Sequence, residues 1–470
     1  LEIPFVGGAY LNRSSNINAQ ECTNLFVSVD NKDAKAALSL LGTPGCKSFS
    51  QLGTVGSVRR LFAVLTKLYV VVDNSIYTVN TNGECVLLGT ITTSAGNVFM
   101  ESNGVEVLIV DGTEYGYFID ATDTVTAVTL PCKAGCLTFQ DGYFIVTEVG
   151  TGNFFISGLY DASSWDSLDF GSTEASPDSA SAIISNTHDL WIIGKQTSEV
   201  FYNSGDADFP FTRISGAVLE VGTNAPASVV KIDNLIYWLS DKGQIVRSEG
   251  YQYAIISTPH IEYMLSKFTT LSDAKAYLAV IEGLHWYVIT FPTDARTLIY
   301  NVNTGFWSEL KSYSNKDDAI PWSKHRSNCG VYFNTKTVVG DYENGKLYTL
   351  DMDTYADDDY EIQRRRTSQT ISKERVLLLF HNLEVEFEAG VGLDEGLQGE
   401  NPQVCLDWSD DGGHTWSNEH WRSIGRIGKY KYRTVWKRLG KSRNRIFRLT
   451  MTDKVKVVIL GATANIEECK

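Results

Sequence analysis

The sequence predicts an all-β protein: a six- or seven-bladed β-propeller with an N-terminal arm before it and a small C-terminal β-sandwich after it. Short aliphatic and aromatic runs recur as hairpins centred near Leu68, Val107, Tyr143, Leu190, Ile236, Trp286 and Val338, at intervals of 39, 36, 47, 46, 50 and 52 residues. A period of roughly 40–50 residues built from short strands is that of propeller blades, four-stranded sheets set around a channel. The 23 Tyr, 21 Phe and 10 Trp point the same way, since aromatic residues favour strands over helices.

Residues 1–56 are rich in small and turn-forming types, from Gly7-Gly8 to Gly42-Thr43-Pro44-Gly45, and form the expected arm. The repeats begin at Ser57. In the first, residues 60–65, 67–72, 74–79 and 85–89 fit four strands into about 35 residues. The same order returns over 98–130. The fourth hairpin, within residues 189–203, is the clearest: two runs of bulky aliphatic and aromatic residues flank a polar turn that begins with Gly194. Later repeats are longer, and the last, residues 330–350, runs into an acidic stretch with Asp351, Asp353, Asp357, Asp358 and Asp359. That spacing lacks the glycine and terminal glutamate of a calcium loop, and Arg364, Arg365 and Arg366 follow at once, so it reads as a solvated loop. Beyond 370 come strand-like runs at 376–380, 383–388, 403–408, 445–450 and 455–460, with a glycine-rich connection over 390–399. The expected boundaries are an arm at 1–56, a propeller at 57–370 and a sandwich at 371–470, with the arm and the sandwich packing as a separate β layer.

A net charge of −15 argues against a general nucleic-acid binder, because neutralising phosphates takes clustered Lys and Arg. No run of about 18 apolar residues is present, so no transmembrane helix and no membrane insertion is expected. Arg13, Asn16 and Asn18 stand where a signal peptide needs its apolar centre, and no secretion signal is expected. The eight cysteines are scattered, as free buried thiols of a protein folded in a reducing compartment would be. Cys132 and Cys136 are the one close pair. With no second Cys or His pair beside them, neither a metal site nor a cofactor is expected.

Catalytic motifs are equally lacking. The seven histidines make no H-x-x-x-H or H-E-x-x-H pair, and no G-x-S-x-G or P-loop occurs. Phe211-Thr212-Arg213-Ile214 is a loose echo of a sialidase arginine motif, which keeps a carbohydrate-binding or sialidase-like propeller as the alternative. Ser409-Asp410-Asp411-Gly412-Gly413-His414-Thr415-Trp416 fits the Asp-box S-x-D-x-G-x-T-W, with Ser409, Asp411, Gly413, Thr415 and Trp416 at the specified positions. In that turn the carboxylate accepts backbone N–H groups, the glycine takes positive φ and the tryptophan anchors the loop. It argues for β structure, not for catalysis.

Two segments resemble a known family. One holds Ser164-Trp165-Asp166-Ser167-Leu168, Ala175-Ser176-Pro177-Asp178, Leu190-Trp191-Ile192-Ile193-Gly194 and Phe209-Pro210-Phe211; the other is Thr434-Val435-Trp436-Lys437-Arg438-Leu439-Gly440-Lys441-Ser442-Arg443. Together with Asn24-Leu25-Phe26 they resemble the packaged-DNA stabilisation proteins of short-tailed bacteriophages, also called tail hub or nozzle proteins. The resemblance implies a structural, non-enzymatic virion protein, assembled in the host cytoplasm as a homohexamer below the portal and its adaptor ring. It implies a role in extending the DNA conduit, retaining the packaged genome and carrying a tail needle, tailspikes or fibres. Double-stranded DNA would pass without sequence-specific binding.

Charge is unevenly spread. Residues 421–455 carry twelve cations against one acid, Asp453, a net of +11 that leaves −26 on the rest of the chain. Arg433, Lys437, Arg438, Lys441, Arg443 and Arg445 are the expected docking surface for an acidic face of the adaptor or of a neighbouring subunit. The competing expectation is a solvated strand face whose cations pair with nearby carboxylates.

Overall fold

The computed structural model describes residues 1–11, 18–30, 36–206, 208–314 and 321–469, and these are nearly all strand or connecting loop. Among them the helical elements are Pro259–Leu265 and a 3-10 turn at Pro226–Ser228. Arg13 and Asn16 lie outside the described residues. Two compact units emerge: one made of residues 48–295 and 326–349, the other of 1–47, 296–325 and 350–470.

In the first unit, five four-stranded antiparallel sheets follow one another in chain order. The first is Val58–Val64, Lys67–Val72, Ser75–Asn80 and Cys85–Thr90; the fifth is Val230–Ile232, Leu235–Leu239, Ile245–Glu249 and Gln252–Ile255. Two further hairpins complete the series, Lys275–Ile281 with Leu284–Phe291 and Ser327–Phe333 with Lys336–Asp341. The second strands are apolar on both faces because each sheet is covered by its neighbours. Leu68 to Val72 and Leu190 to Gly194 are buried throughout. The last strands of the sheets face outward, leaving Val86 and Leu87 exposed.

Sheets are tied to their neighbours through backbone and hydroxyl groups. Ser185 N donates to Thr138 Oγ1 at 3.0 Å, and Val280 N to Thr337 Oγ1 at 2.8 Å. Asn328 Nδ2 donates to Val58 O at 2.7 Å, which sets the last hairpin against the first sheet, so the series closes on itself. Glycine is required at this closure. A Cβ on Gly340 would lie 2.3 Å from Val58 Cγ1, and one on Gly330 would lie 2.4 Å from Tyr277 Cδ2.

The second unit is a sandwich. One sheet has the order Leu25–Val29, Leu38–Gly42, Val458–Glu468, Leu378–Phe387, Thr434–Ser442. The other contains Cys22–Thr23, Arg364–Thr367, Asn444–Met451, Gln403–Ser409 and His420–Ser423. Their inner faces share one core of Phe5, Leu25, Leu40, Phe380, Leu383, Trp436, Phe447 and Leu449. Cys22–Thr23, Leu25–Val29 and Leu38–Gly42, all from the expected arm, are thus built into the two sheets. Ile3 N donates to Ala462 O at 2.8 Å, and Ile3 and Phe5 are fully buried.

Three expectations change here. The runs 376–380 and 383–388 are one strand, Leu378–Phe387, with a bulge between Phe380 and Asn382; the bulge shifts the alternation by one residue and mimics a gap. The strand expected at 455–460 starts at Val458 and runs to Glu468. The acidic stretch is not simply solvated: Asp357 is 1% exposed, paired with Cys46 along Ala356–Asp357, and Arg364 and Arg366 behind it are fully buried.

Candidate interaction surface

The Asp-box forms the turn after strand Gln403–Ser409. Asp411 accepts His414 N at 3.0 Å, Thr415 N at 2.9 and 3.0 Å, Thr415 Oγ1 at 2.7 Å and Ser409 Oγ at 2.7 Å. These donors, Thr415 foremost, hold its carboxyl well below the usual range. Gly413 sits at φ +96°, a conformation that side chains resist.

Two arginines of the neighbouring strand Asn444–Met451 staple this turn in place. The register sets Asp407 opposite Arg448, and the Arg448 guanidinium bonds both Asp407 oxygens, with Nε at 3.0 and 3.1 Å. Its carbon lies 3.6 Å from the centre of the Trp416 ring, a cation–π contact. Arg445 is 1% exposed; it donates to Asp410 at 2.7 and 2.8 Å and to Leu439 O at 2.6 Å, with Phe380 and Trp408 against its plane. Arg445 therefore does not belong to a docking surface. A fixed fork of donors satisfied inside the sandwich is a packing element.

The remaining cations of residues 421–455 divide in two. Arg426 pairs with Glu400 at 3.1 Å, and Arg433 bonds both Glu384 oxygens at 2.6 and 2.5 Å, which lowers the Glu384 carboxyl. Arg422, Arg443 and Lys454 donate to backbone carbonyls. Lys429, Lys431, Lys437, Arg438 and Lys441 are exposed and make no ion pair among the described residues. The last three stand on Thr434–Ser442, the edge strand of its sheet. Arg438 has φ +63° in the bulge opposite Phe380 and Asn382, which breaks the regular edge. Exposed cations and a bulge are how an edge strand avoids pairing with another chain, so this row first of all protects the fold. It is also the part of the surface where unpaired positive charge is densest within the segment.

The other sequence candidates stay apart. Cys132 and Cys136 are buried thiols pushed up by burial to about 12 and about 11, and Cys136 Sγ donates to Ile183 O. None of the eight cysteines forms a disulfide, and six of them are buried. Arg213 is held by Glu199 at 3.3 Å. Cys46, His325 and Asp357, which no sequence pattern joins, come together buried and with ligand atoms within 4.8 Å of one another.

Two family models match the chain in succession: one described as bacteriophage P22 Gp10, beta-propeller, over residues 1–355, the other as bacteriophage P22 Gp10, beta-sandwich, over residues 363–467. The chain belongs to the bacteriophage P22 Gp10 family. It is therefore a structural tail protein of a phage, built from a β-propeller and a C-terminal β-sandwich. Among curated proteins, none matches the chain. Similar solved structures include the WD40 β-propeller domain of Doa1, with a TM-score of 0.43 and 12% identity over 65% of this chain and 96% of that one. PorZ, a surface component of the type-IX secretion system of Porphyromonas gingivalis, gives 0.41 and 10% identity over 79% of this chain and 46% of that one. In Gp10 terms, the Asp-box and its arginine staples belong to the sandwich, as does the cationic edge strand.

Proposed function

We propose that this Gp10-family chain is the tail hub of a short-tailed phage. On this reading six copies assemble in the host cytoplasm into a ring below the portal and its adaptor, extend the DNA conduit, help retain the packaged genome and carry a needle or fibres. The observation that carries the reading is the succession of two Gp10 models, propeller then sandwich, across nearly the whole chain. The net charge of −15 supports a conduit that lets duplex DNA slide rather than grips its phosphates. The protein acts by occupying a position and has no hydrolase activity of its own. Native mass measurement of tails released from virions should give six copies of the chain, and another stoichiometry overturns the hub reading.

Lys437, Arg438 and Lys441 are the part of the proposed docking surface that remains free, since Arg433 and Arg445 already have carboxylate partners and Arg443 donates to the Arg375 carbonyl. They would meet an acidic face of the adaptor or of a neighbouring copy, setting orientation and association rate. Replacing all three by Glu should weaken incorporation into the tail by about tenfold or more at low salt, with the difference shrinking as salt screens the contact. Unchanged incorporation at low salt leaves these residues with edge protection as their role.

A further inference from the structure

Three side chains of metal-ligating type converge inside the sandwich unit from places far apart in the chain. Cys46 lies on Gly45–Gln51, His325 follows Trp322–Lys324, and Asp357 ends Ala356–Asp357. Their exposures are 0%, 4% and 1%. Each is fixed by its backbone or by its far side: Asp358 N donates to Cys46 O at 2.8 Å, His325 N to Thr297 Oγ1 at 3.1 Å, and Ser312 Oγ to Asp357 Oδ2 at 2.7 Å.

The near atoms point at one spot. Cys46 Sγ lies 3.8 Å from His325 Nε2, and Asp357 Oδ1 lies 4.0 Å from the same nitrogen. A nucleophilic relay would put the thiol and the carboxylate on opposite ring nitrogens. Here both meet Nε2, which has one hydrogen at most to give. Asp357 Oδ1, buried, has no hydrogen-bond partner among the described residues, and a nitrogen 4.0 Å away is too far to supply one. In a tetrahedral zinc site, metal–ligand lengths of about 2.3 Å for sulfur and about 2.0 Å for nitrogen and oxygen set ligand atoms about 3.3–3.6 Å apart. The sulfur-to-nitrogen spacing is about 0.3 Å wider than such a site needs and the nitrogen-to-oxygen spacing about 0.7 Å wider, so the ion would draw the Asp357 carboxylate inward. Arg364, fully buried, supplies positive field to Asp357, but its charge does nothing to bring sulfur, nitrogen and oxygen together.

We propose that Cys46, His325 and Asp357 bind one zinc ion, with a water molecule in the fourth position. Thiolate, imidazole and carboxylate together suit Zn²⁺ among the divalent metals, and the two anionic ligands balance its charge. The ion would clamp the strand at Cys46 to the segments that carry His325 and Asp357, a structural role within the sandwich unit.

The test uses the full chain, purified without chelators. Elemental analysis should find about one zinc per chain, and exchange for Co²⁺ should produce thiolate-to-cobalt charge-transfer absorption. Cys46→Ser should abolish that band, and Asp357→Asn should lower Co²⁺ affinity at least about tenfold. Should either variant fail to fold, the wild-type chain still decides, because stripping it with a chelator should lower its melting temperature and zinc should restore it. A folded wild-type chain that takes up neither ion at micromolar concentration, or one whose uptake is the same in both variants, overturns the assignment.

Discussion

Arg445 shows how a single side chain can be misplaced by pattern alone. In Asn444–Met451 the residues Arg445, Ile446 and Phe447 are all buried, so the alternation that would turn one of them outward fails. It fails because the guanidinium finds Asp410 and the Leu439 carbonyl inside. Arg445→Leu should cost about 3 kcal/mol of unfolding free energy, the low end for breaking a buried pair, since Asp410 keeps some contact with water; denaturant titration measures it. Glu101 gives a second residue-level expectation. Burial pushes its carboxyl from 4.5 up to about 7, against the pull of Arg60 and Lys231. The folded chain therefore holds a proton that the unfolded chain releases, and this residue's contribution to stability falls as pH rises from about 4.5 to about 7. Glu101→Gln should remove that slope in melting profiles and be the more stable protein at pH 8, by at most about 3 kcal/mol. Equal slopes for the two proteins would show that Glu101 is hydrated.

Single elements differ in how plainly the sequence announces them. All seven hairpin centres fall on second strands, because a strand covered on both faces must be apolar along its length and stands out as a run. The Asp-box was equally legible, being a local turn whose donors and acceptor lie within seven residues. The arm was legible in outline, as packing with the C-terminal residues, but residues 1–11 carry too little strand signal to reveal that Ile3 and Phe5 enter that core, most of whose members lie beyond residue 370. Phe5→Ala should cost about 3–5 kcal/mol through the cavity it leaves, with the loss confined to the sandwich unit's unfolding. Hydrogen exchange resolved by segment would separate that outcome from a uniform loss.

Across the whole molecule, local periodicity made the propeller legible and long-range pairing hid the rest. The chain passes between its two units four times, at residues 47–48, 295–296, 325–326 and 349–350, and no compositional break marks any of them. The cationic segment was visible as a charge count, yet which cations were already satisfied depended on carboxylates such as Asp407, Asp410 and Glu384 being brought beside them by register. The Cys46, His325 and Asp357 cluster was out of reach for the same reason, since 279 residues separate the cysteine from the histidine.

The pairing of Leu41 with Val458 also imposes a schedule on the ribosome. Each of the five four-stranded sheets can close once its own few dozen residues have emerged, while Leu38–Gly42 must wait for a strand made 417 residues later. At roughly 5–20 residues per second that wait is about 20–80 s, during which an apolar strand edge stands uncovered on the nascent chain. Translation speed and chaperone supply would then govern the yield of this protein through Leu38–Gly42, a strand made long before the one that covers it.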